Sequence, residues 1–372
     1  METRKKIIIG IVVAGLLFYL AAGFFLNRKN GLMAPGSGTE TTADNHASPE
    51  SNGAAPGGLS SVLGENLYLE AEIPPQPQAC AEYTVDLAEF PAEKGGEFLE
   101  SQGIGNIYTE TYNEDSYLVG SDDGARFFYV DGGICFERAA QIDDEIFSVA
   151  SVWTDEHKDG KKQEELSFSS QEDAARLVRD ALGQFTDAGT RVTEILSVRQ
   201  DELEDMYRQF QEEGGLENAE LTDFDSIGDI YLLYICFEQD GLPLFQCKDE
   251  PMHVSYLEWD TAMPSGVEAV VSRDGIRYLN VNVPYQVKEK KEVALITARE
   301  ALTQAQKPLE NLILDQPAVF TDIYLEYVLL SGEDLIRPAR MRPYWTFLYE
   351  CDGARHALRI NAVTGGDLAN GN

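Results

Sequence analysis

Ser169–Phe185, SSQEDAARLVRDALGQF, has the marks of a helix with one apolar stripe, and the chain on either side supplies the strands that such a stripe needs. Ser169-Ser170-Gln171-Glu172 has the spacing of a capping box, in which a serine oxygen and a glutamate satisfy the orphan amides at a helix start. Ala174, Leu177, Val178, Ala181, Leu182 and Phe185 then recur at helical spacing along one face. Downstream, Arg191–Val198, Ile230–Phe237, Leu244–Gln246, Val254–Trp259, Val267–Ser272 and Ile276–Pro284 carry the β-branched and aromatic residues of strands. Asp240-Gly241 and Asp274-Gly275 supply tight turns, and Leu203, Met206, Tyr207 and Phe210 mark a short second helix closed by Gly214-Gly215.

The same order returns further on. Lys290–Gln306 is expected to be helical, with Ala294, Ala298, Ala301, Leu302 and Ala305 as its stripe and Pro308 preventing continuation. A strand follows in which Ile323, Leu325, Tyr327 and Leu329 alternate with Asp322, Tyr324, Glu326 and Val328, as in a sheet covered on one face. Tyr344–Cys351, the turn Asp352-Gly353 and Ala354–Asn361 complete a hairpin. The first copy is expected to occupy residues 163–286 and the second residues 287–372.

Upstream, residues 62–162 form a further expected α+β domain. PAEKGGEFLESQG suits a short helix, and Asn106–Thr111, Ser116–Val119, Arg126–Val130, Ile134–Arg138 and Ile146–Trp153 suit strands, with turns at Asp123-Gly124 and Asp131-Gly132. His157–Lys162 is a charged connector. The fold class is therefore α+β, small domains with helices packed on antiparallel sheets.

All of this hangs from the amino terminus. Ile7–Leu26, IIIGIVVAGLLFYLAAGFFL, carries no charge and as a helix would span roughly 30 Å, the thickness of a bilayer's hydrocarbon core. A cleaved signal peptide would use Ala21-Ala22-Gly23, but the apolar run continues through Phe24-Phe25-Leu26, so an uncleaved anchor is the expectation. Arg4, Lys5 and Lys6 before it keep the amino terminus cytoplasmic and the bulk of the chain extracytoplasmic. Residues 1–30 are then stub and transmembrane helix, with membrane lipid as the partner of Ile7–Leu26. Gly10 and Ala14 form a small-xxx-small pair, for which packing against lipid is the expected use. Residues 31–61, polar and rich in Gly, Ser and Pro, read as a flexible linker, and His46 within it has no chemistry to perform.

A chain of 372 residues at 43% hydrophobic content has enough material for several cores. Its formal charge of −35 argues against nucleic acid and anionic headgroups, which would repel it. Cys80, Cys135, Cys236, Cys247 and Cys351 share no metal-binding or redox spacing; reduced, partly buried thiols are expected at Cys236 and Cys247 rather than a bridge. An exported chain that does not depend on disulfides points to a Gram-positive or anaerobic envelope.

Chemistry-bearing motifs are sparse. His157, His253 and His356 are isolated, and neither HExxH nor GxSxG occurs. The segment from Asp223 imitates a calcium loop but has Ile227 at its fifth position and Tyr234 at its twelfth, so it reads as an ordinary turn. Asp143-Asp144-Glu145 and Glu202, Glu204 and Asp205 read as solvated faces. Tyr and Phe, seventeen of each, are expected mainly in cores. No catalytic, cofactor-binding or metal-ligating residue is assigned, no cofactor and no small-molecule substrate is implied, and the chain is not expected to be an enzyme.

Asn361-Ala362-Val363-Thr364-Gly365, closing a hairpin after Arg342-Pro343-Tyr344-Trp345 and preceded by an alanine-rich helix and the strand IYLEYVL, resembles the C-terminal module of the YycH/YycI regulators and, more distantly, PepSY-type domains. Gly241-Leu242-Pro243-Leu244-Phe245 and Ser272-Arg273-Asp274-Gly275-Ile276 sit where that family places its hairpins. The resemblance covers Ser169–Asp367 with the single N-terminal span, and departs from the family in residues 31–162. It implies a bitopic extracytoplasmic protein that restrains a cell-wall two-component sensor kinase without enzymatic activity, its partner another membrane or envelope protein. An extracytoplasmic peptide- or ligand-binding inhibitor module of PepSY type is the alternative, and an envelope enzyme of unrecognised type the third.

Overall fold

The computed structural model describes residues 61–139 except 78, 114–115 and 131, then 143, 145–147, 149–151, 164–212, 224–246, 262–310, 316–332 and 337–366. The expected span Ile7–Leu26, nearly all of the linker, the connector His157–Lys162, Gly214-Gly215 and the strand Val254–Trp259 lie outside these residues. Among the described residues no helix is long and apolar enough to cross a membrane.

The chain begins with two short strands, β1 (Ser61–Gly64) and β2 (Leu67–Leu69), and continues into β3 (Cys80–Leu87). Helix α1 (Ala92–Ser101) follows, then β4 (Ile107–Asn113), β5 (Ser116–Ser121), β6 (Arg126–Val130) and β7 (Gly133–Glu137). Helix α2 (Gln171–Leu182) opens the next unit, with β8 (Gly189–Val198), helices α3 (Gln200–Glu212) and α4 (Phe224–Ile227), and strands β9 (Ile230–Gln239), β10 (Leu242–Pro243), β11 (Ala262–Met263), β12 (Gly266–Ser272) and β13 (Gly275–Asn282). Strand β14 (Tyr285–Val293) precedes helix α5 (Ala298–Glu310), and β15 (Ala318–Ser331), β16 (Pro338–Cys351) and β17 (Ala354–Asn361) close the chain.

These strands make two sheets. The nine-stranded one runs β10-β9-β12-β13-β7-β6-β5-β4 with β8 also on β9; the eight-stranded one runs β1-β2-β15-β16-β3-β14, with β11 on β15 and β17 on β16. Among the described residues the helix-then-meander unit occurs three times, not two: α1 with β4 to β7, α2 with β8, β9, β12 and β13, and α5 with β15 to β17. Each has Asp-Gly after its second strand, at Asp123-Gly124, Asp240-Gly241 and Asp352-Gly353. Asp240, Gly241, Asp352 and Gly353 all have positive φ, the conformation of a type I′ turn.

The expected boundaries at 162/163 and 286/287 are crossed by pairing. The first two meanders join through their last strands, Tyr278 opposite Glu137 and Val281 opposite Ile134, while β3 pairs with both β14 and β16. The reason is physical: a lone meander leaves a row of unpaired amides and carbonyls at its edge, and joining edges satisfies both rows. One apolar cluster accordingly runs through both sheets and through α1, α2 and α5. A second cluster lies on the other face of the nine-stranded sheet, where Leu203, Met206 and Tyr207 of α3 and Ile227 of α4 cover Leu232, Tyr234, Val270 and Tyr278. Strand β9, IYLLYICF, reads as an unbroken apolar run because both its faces are covered.

Several local expectations are corrected. The α2 cap is Ser170, whose side chain accepts the Asp173 amide, one residue beyond the expected box, and Leu177 is 38% exposed. Residues 145–147 and 149–151 are helical, not a strand, and Ile146, Val149 and Ala150 are buried at helical spacing. Lys290 lies in β14; helix α5 starts only at Ala298, because Thr297 and Glu300 form its capping box, and it continues through Pro308 to bury Leu309. Leu244–Gln246 forms no full strand; Leu244 alone bridges Tyr327. Finally, β15 is covered on both faces at its C-terminal half, since Val328 and Leu330 pack with Phe245, Ala262 and Tyr344.

Candidate functional site

A polar junction ties the sheets together where the turn after β9 meets β3, β14 and β15. The turn Asp240-Gly241 aims the Asp240 carboxylate at Tyr83 on β3, whose hydroxyl donates to it, and at Lys290 on β14, whose Nζ donates to Oδ2 at 2.6 Å. The Lys290 ammonium also stands 5.6 Å from the centre of the Tyr83 ring. Tyr327 on β15 meets that ring edge-on at 5.6 Å, and its hydroxyl lies 3.3 Å from Cys80 Sγ. Tyr285 donates to Gln239 Oε1 at 3.4 Å.

The electrostatics follow from these contacts. Lys290, then Tyr83, hold the Asp240 carboxyl below its ordinary range, and Asp240 in turn raises Lys290. Burial raises the phenols of Tyr83, Tyr285 and Tyr327 and the thiol of Cys80. At neutral pH the junction is thus a carboxylate–ammonium pair among neutral phenols and a protonated thiol, whereas thiol nucleophilicity needs the thiolate. The arrangement clasps one sheet to the other.

Two buried ion pairs do comparable work. Arg277 on β13 holds Asp143 at 2.7 Å, and Asp143 also accepts the Ala139 amide at 2.6 Å. Burial raises the Asp143 carboxyl and Arg277 opposes that rise. On the outer face of the eight-stranded sheet Arg359 pairs with Glu326 at 2.8 Å, Thr346 donates to the same oxygen at 2.6 Å, and the Arg359 guanidinium lies 4.1 Å from the centre of the Phe245 ring.

Of the residues singled out from sequence, Asp143 is the clearest correction, being buried in an ion pair rather than part of a solvated face. Glu145 accepts a hydrogen bond from the Tyr207 hydroxyl. Glu202, Glu204 and Asp205 bond to neighbouring Arg199, Gln200 and Arg208 along α3. Asp225 and Ile227 form the short helix α4, with Asp225 accepting from Gln200 at 2.8 Å. His356 stacks on Tyr349 at 5.0 Å; His46, His157 and His253 lie outside the described residues, as does Cys247. Cys80, Cys236 and Cys351 are buried, and no disulfide joins described residues. Among the described residues no three His, Cys, Asp or Glu side chains gather as a metal site requires. In the Asn361–Gly365 turn the Asn361 side-chain oxygen accepts the amides of Val363 and Thr364, while its buried Nδ2 has no partner among the described residues.

Sequence reading missed Tyr83, Lys290 and the Asp143–Arg277 pair. Asp240 alone carried a signal, its place in an Asp-Gly turn.

No family model matches the sequence, and no curated protein matches it significantly. Among solved structures, the chain is similar to an uncharacterized protein from Eubacterium rectale ATCC 33656, with TM-score 0.55 and 14% identity over 83% of this chain and 92% of that one. At that identity the likeness shows the fold alone. The Bacillus megaterium YpeB C-terminal domain aligns with TM-score 0.32 and 11% identity over 74% of this chain and 92% of that one, too slight a likeness to carry an argument.

Proposed function

We propose that this chain is a non-enzymatic, single-pass extracytoplasmic regulator of the YycH/YycI kind, built on PepSY-like modules and acting by contact with an envelope sensor kinase or similar membrane protein. Ile7–Leu26 anchors it, and the folded body reaches its partner beyond the bilayer. The observation that carries the reading is how the titratable groups are used: Asp240 with Lys290, Asp143 with Arg277 and Glu326 with Arg359 tie strands and sheets to one another. Such pairs favour a rigid body offering its surface over a cleft offering reactive groups. The acidic surface expected from a charge of −35 adds long-range selectivity against acidic partners.

Exchanging Ile7–Leu26 for an unrelated apolar helix of equal length tests the reading in the native host. Kinase output should change while the chain stays in the membrane and folded. Output unchanged both in this variant and in a strain lacking the chain would overturn it.

A further inference from the structure

Strand β4 ends the nine-stranded sheet, pairing with β5 on one side and, among the described residues, with no strand on the other. Edge strands are usually blunted by lysines, bulges or proline. Strand β14 fits that rule, with Lys288, Lys290 and Lys291 and a bulge between Val287 and Glu289. So does β8, which is bulged between Val192 and Glu194 and carries Arg191 paired with Glu238. Strand β4, IYTETYN, has neither lysine nor proline, and its one irregularity falls after Thr111, leaving Ile107–Thr111 regular. From Tyr108 to Asn113 the strand is exposed throughout.

The outward face of this edge is aromatic. Tyr108 and Glu110 alternate onto the face shared with Leu118 of β5 and with Arg126, Phe128 and Val130 of β6, and Tyr112, at the bulge, stands near enough to Glu110 and Arg126 for their charges to act on its phenol. Tyr108 is 44% exposed, Tyr112 43% and Val130 39%, so three of the six exposed large apolar residues among those described stand together here. The Tyr108 ring lies across Gly120, where a Cβ would come within 2.6 Å of it, so the missing side chain seats the ring.

Charge selects the occupant. Residues 92–130 carry eight acidic and two basic side chains, within a chain of net charge −35. A second copy is disfavoured: symmetric antiparallel pairing centred on Glu110 would set two glutamates opposite each other, between two strongly acidic bodies. We propose that β4 is a docking edge that takes an extended, basic segment of a partner protein as an added antiparallel strand along Ile107–Thr111, with Tyr108 and Glu110 receiving its alternate side chains and Tyr112 flanking them at the bulge. Backbone bonds would give affinity and the alternating contacts specificity. The proposal names the partner chemistry for the contact function above and rests on that reading.

The test uses the full chain in detergent micelles and three labelled octapeptides: alternating Lys-Val, alternating Glu-Val, and Lys-Val with alternate amides N-methylated. Expected are saturable binding of the first, binding about tenfold weaker or worse for the other two, and slowed amide exchange at residues 107–113. Glu110→Lys should weaken the Lys-Val peptide by about fivefold or more and leave the thermal midpoint unchanged. No saturable binding, binding indifferent to charge or N-methylation, protection elsewhere, or a homodimer already protecting 107–113 would each overturn it. If the full chain captures its envelope partner equally well with Glu110→Lys, the docking edge fails and the contact function stands. If the peptide binds as expected but no envelope partner is captured, the contact function fails and the edge stands.

Discussion

Arg277 Nε lies 2.7 Å from Asp143 Oδ1 across 134 residues of sequence, with the two side chains 8% and 0% exposed. The pair binds the segment after β7 to β13, the strand that joins the first two meanders. Removing one member of such a pair strands the other charge in the interior.

Arg277→Met is therefore expected to destabilise the chain by about 3–5 kcal/mol at pH 7. Asp143 already has a raised carboxyl in the folded state, and losing Arg277 raises it further. A folded carboxyl above its unfolded value takes up protons on folding, so the deficit should shrink as pH falls from neutral toward 3.8. Asp143→Asn should show no such relief, because an unpaired buried guanidinium cannot shed its proton. Urea melts across pH distinguish the two.

The Asp240–Lys290 clasp has the opposite sign. Its members are 42% and 51% exposed, so Asp240→Asn should cost no more than about 1 kcal/mol at pH 7, and less in high salt. Asp240 is held below 3.8 by Lys290 and Tyr83, so its contribution is present above 3.8 and disappears as pH falls through the lower folded value. Lys290 is held above 10.5, and its share is lost only as pH rises through that higher value. Variant and wild-type stabilities should converge at both extremes and differ evenly between them.

At the start of α5, Thr297 Oγ1 accepts the Glu300 amide at 3.1 Å and Glu300 accepts the Thr297 amide at 2.8 Å. Thr297→Ala should cost about 0.5–2 kcal/mol, read as a lower urea midpoint at unchanged slope.

Gly95 in α1 offers a test of packing against propensity. Alanine favours a helix interior by roughly 0.5–1 kcal/mol over glycine, yet a Cβ here would lie 2.9 Å from Phe127 Cδ1 and 3.1 Å from Val119 Cγ2. Phe127 is fully buried among Phe90, Phe98, Phe185 and Tyr117, so it has nowhere to move. Gly95→Ala should destabilise by about 1–3 kcal/mol, and a higher melting temperature would contradict the packing.

Turns and buried strands were legible in the sequence because their causes are local. Asp240-Gly241 and Asp352-Gly353 adopt the positive φ their residue types tolerate, and β9 shows its burial as continuous apolar residues. Lys290 reads as helical in sequence because β14 is an exposed edge strand whose lysines and glutamates show no apolar period, while the true signal, Thr297 three residues before Glu300, lies further on. Ile146, Val149 and Ala150 had helical spacing, but the β-branched residues around them suggested a strand. The Asp143–Arg277 pair and the joining of β7 to β13 rest on contacts far apart in the chain, and no local pattern specifies which sheet edges will meet. Tyr83, Asp240 and Lys290 likewise become one junction only when two sheets close on each other.

The most direct test of function by contact is recovery of the tagged full-length chain from native membranes under mild cross-linking, beside the same chain lacking Ile7–Leu26. One membrane or envelope protein, captured in near-stoichiometric amount by the full chain and much depleted without the span, is the predicted result. A full-length chain that emerges alone in both preparations would contradict it.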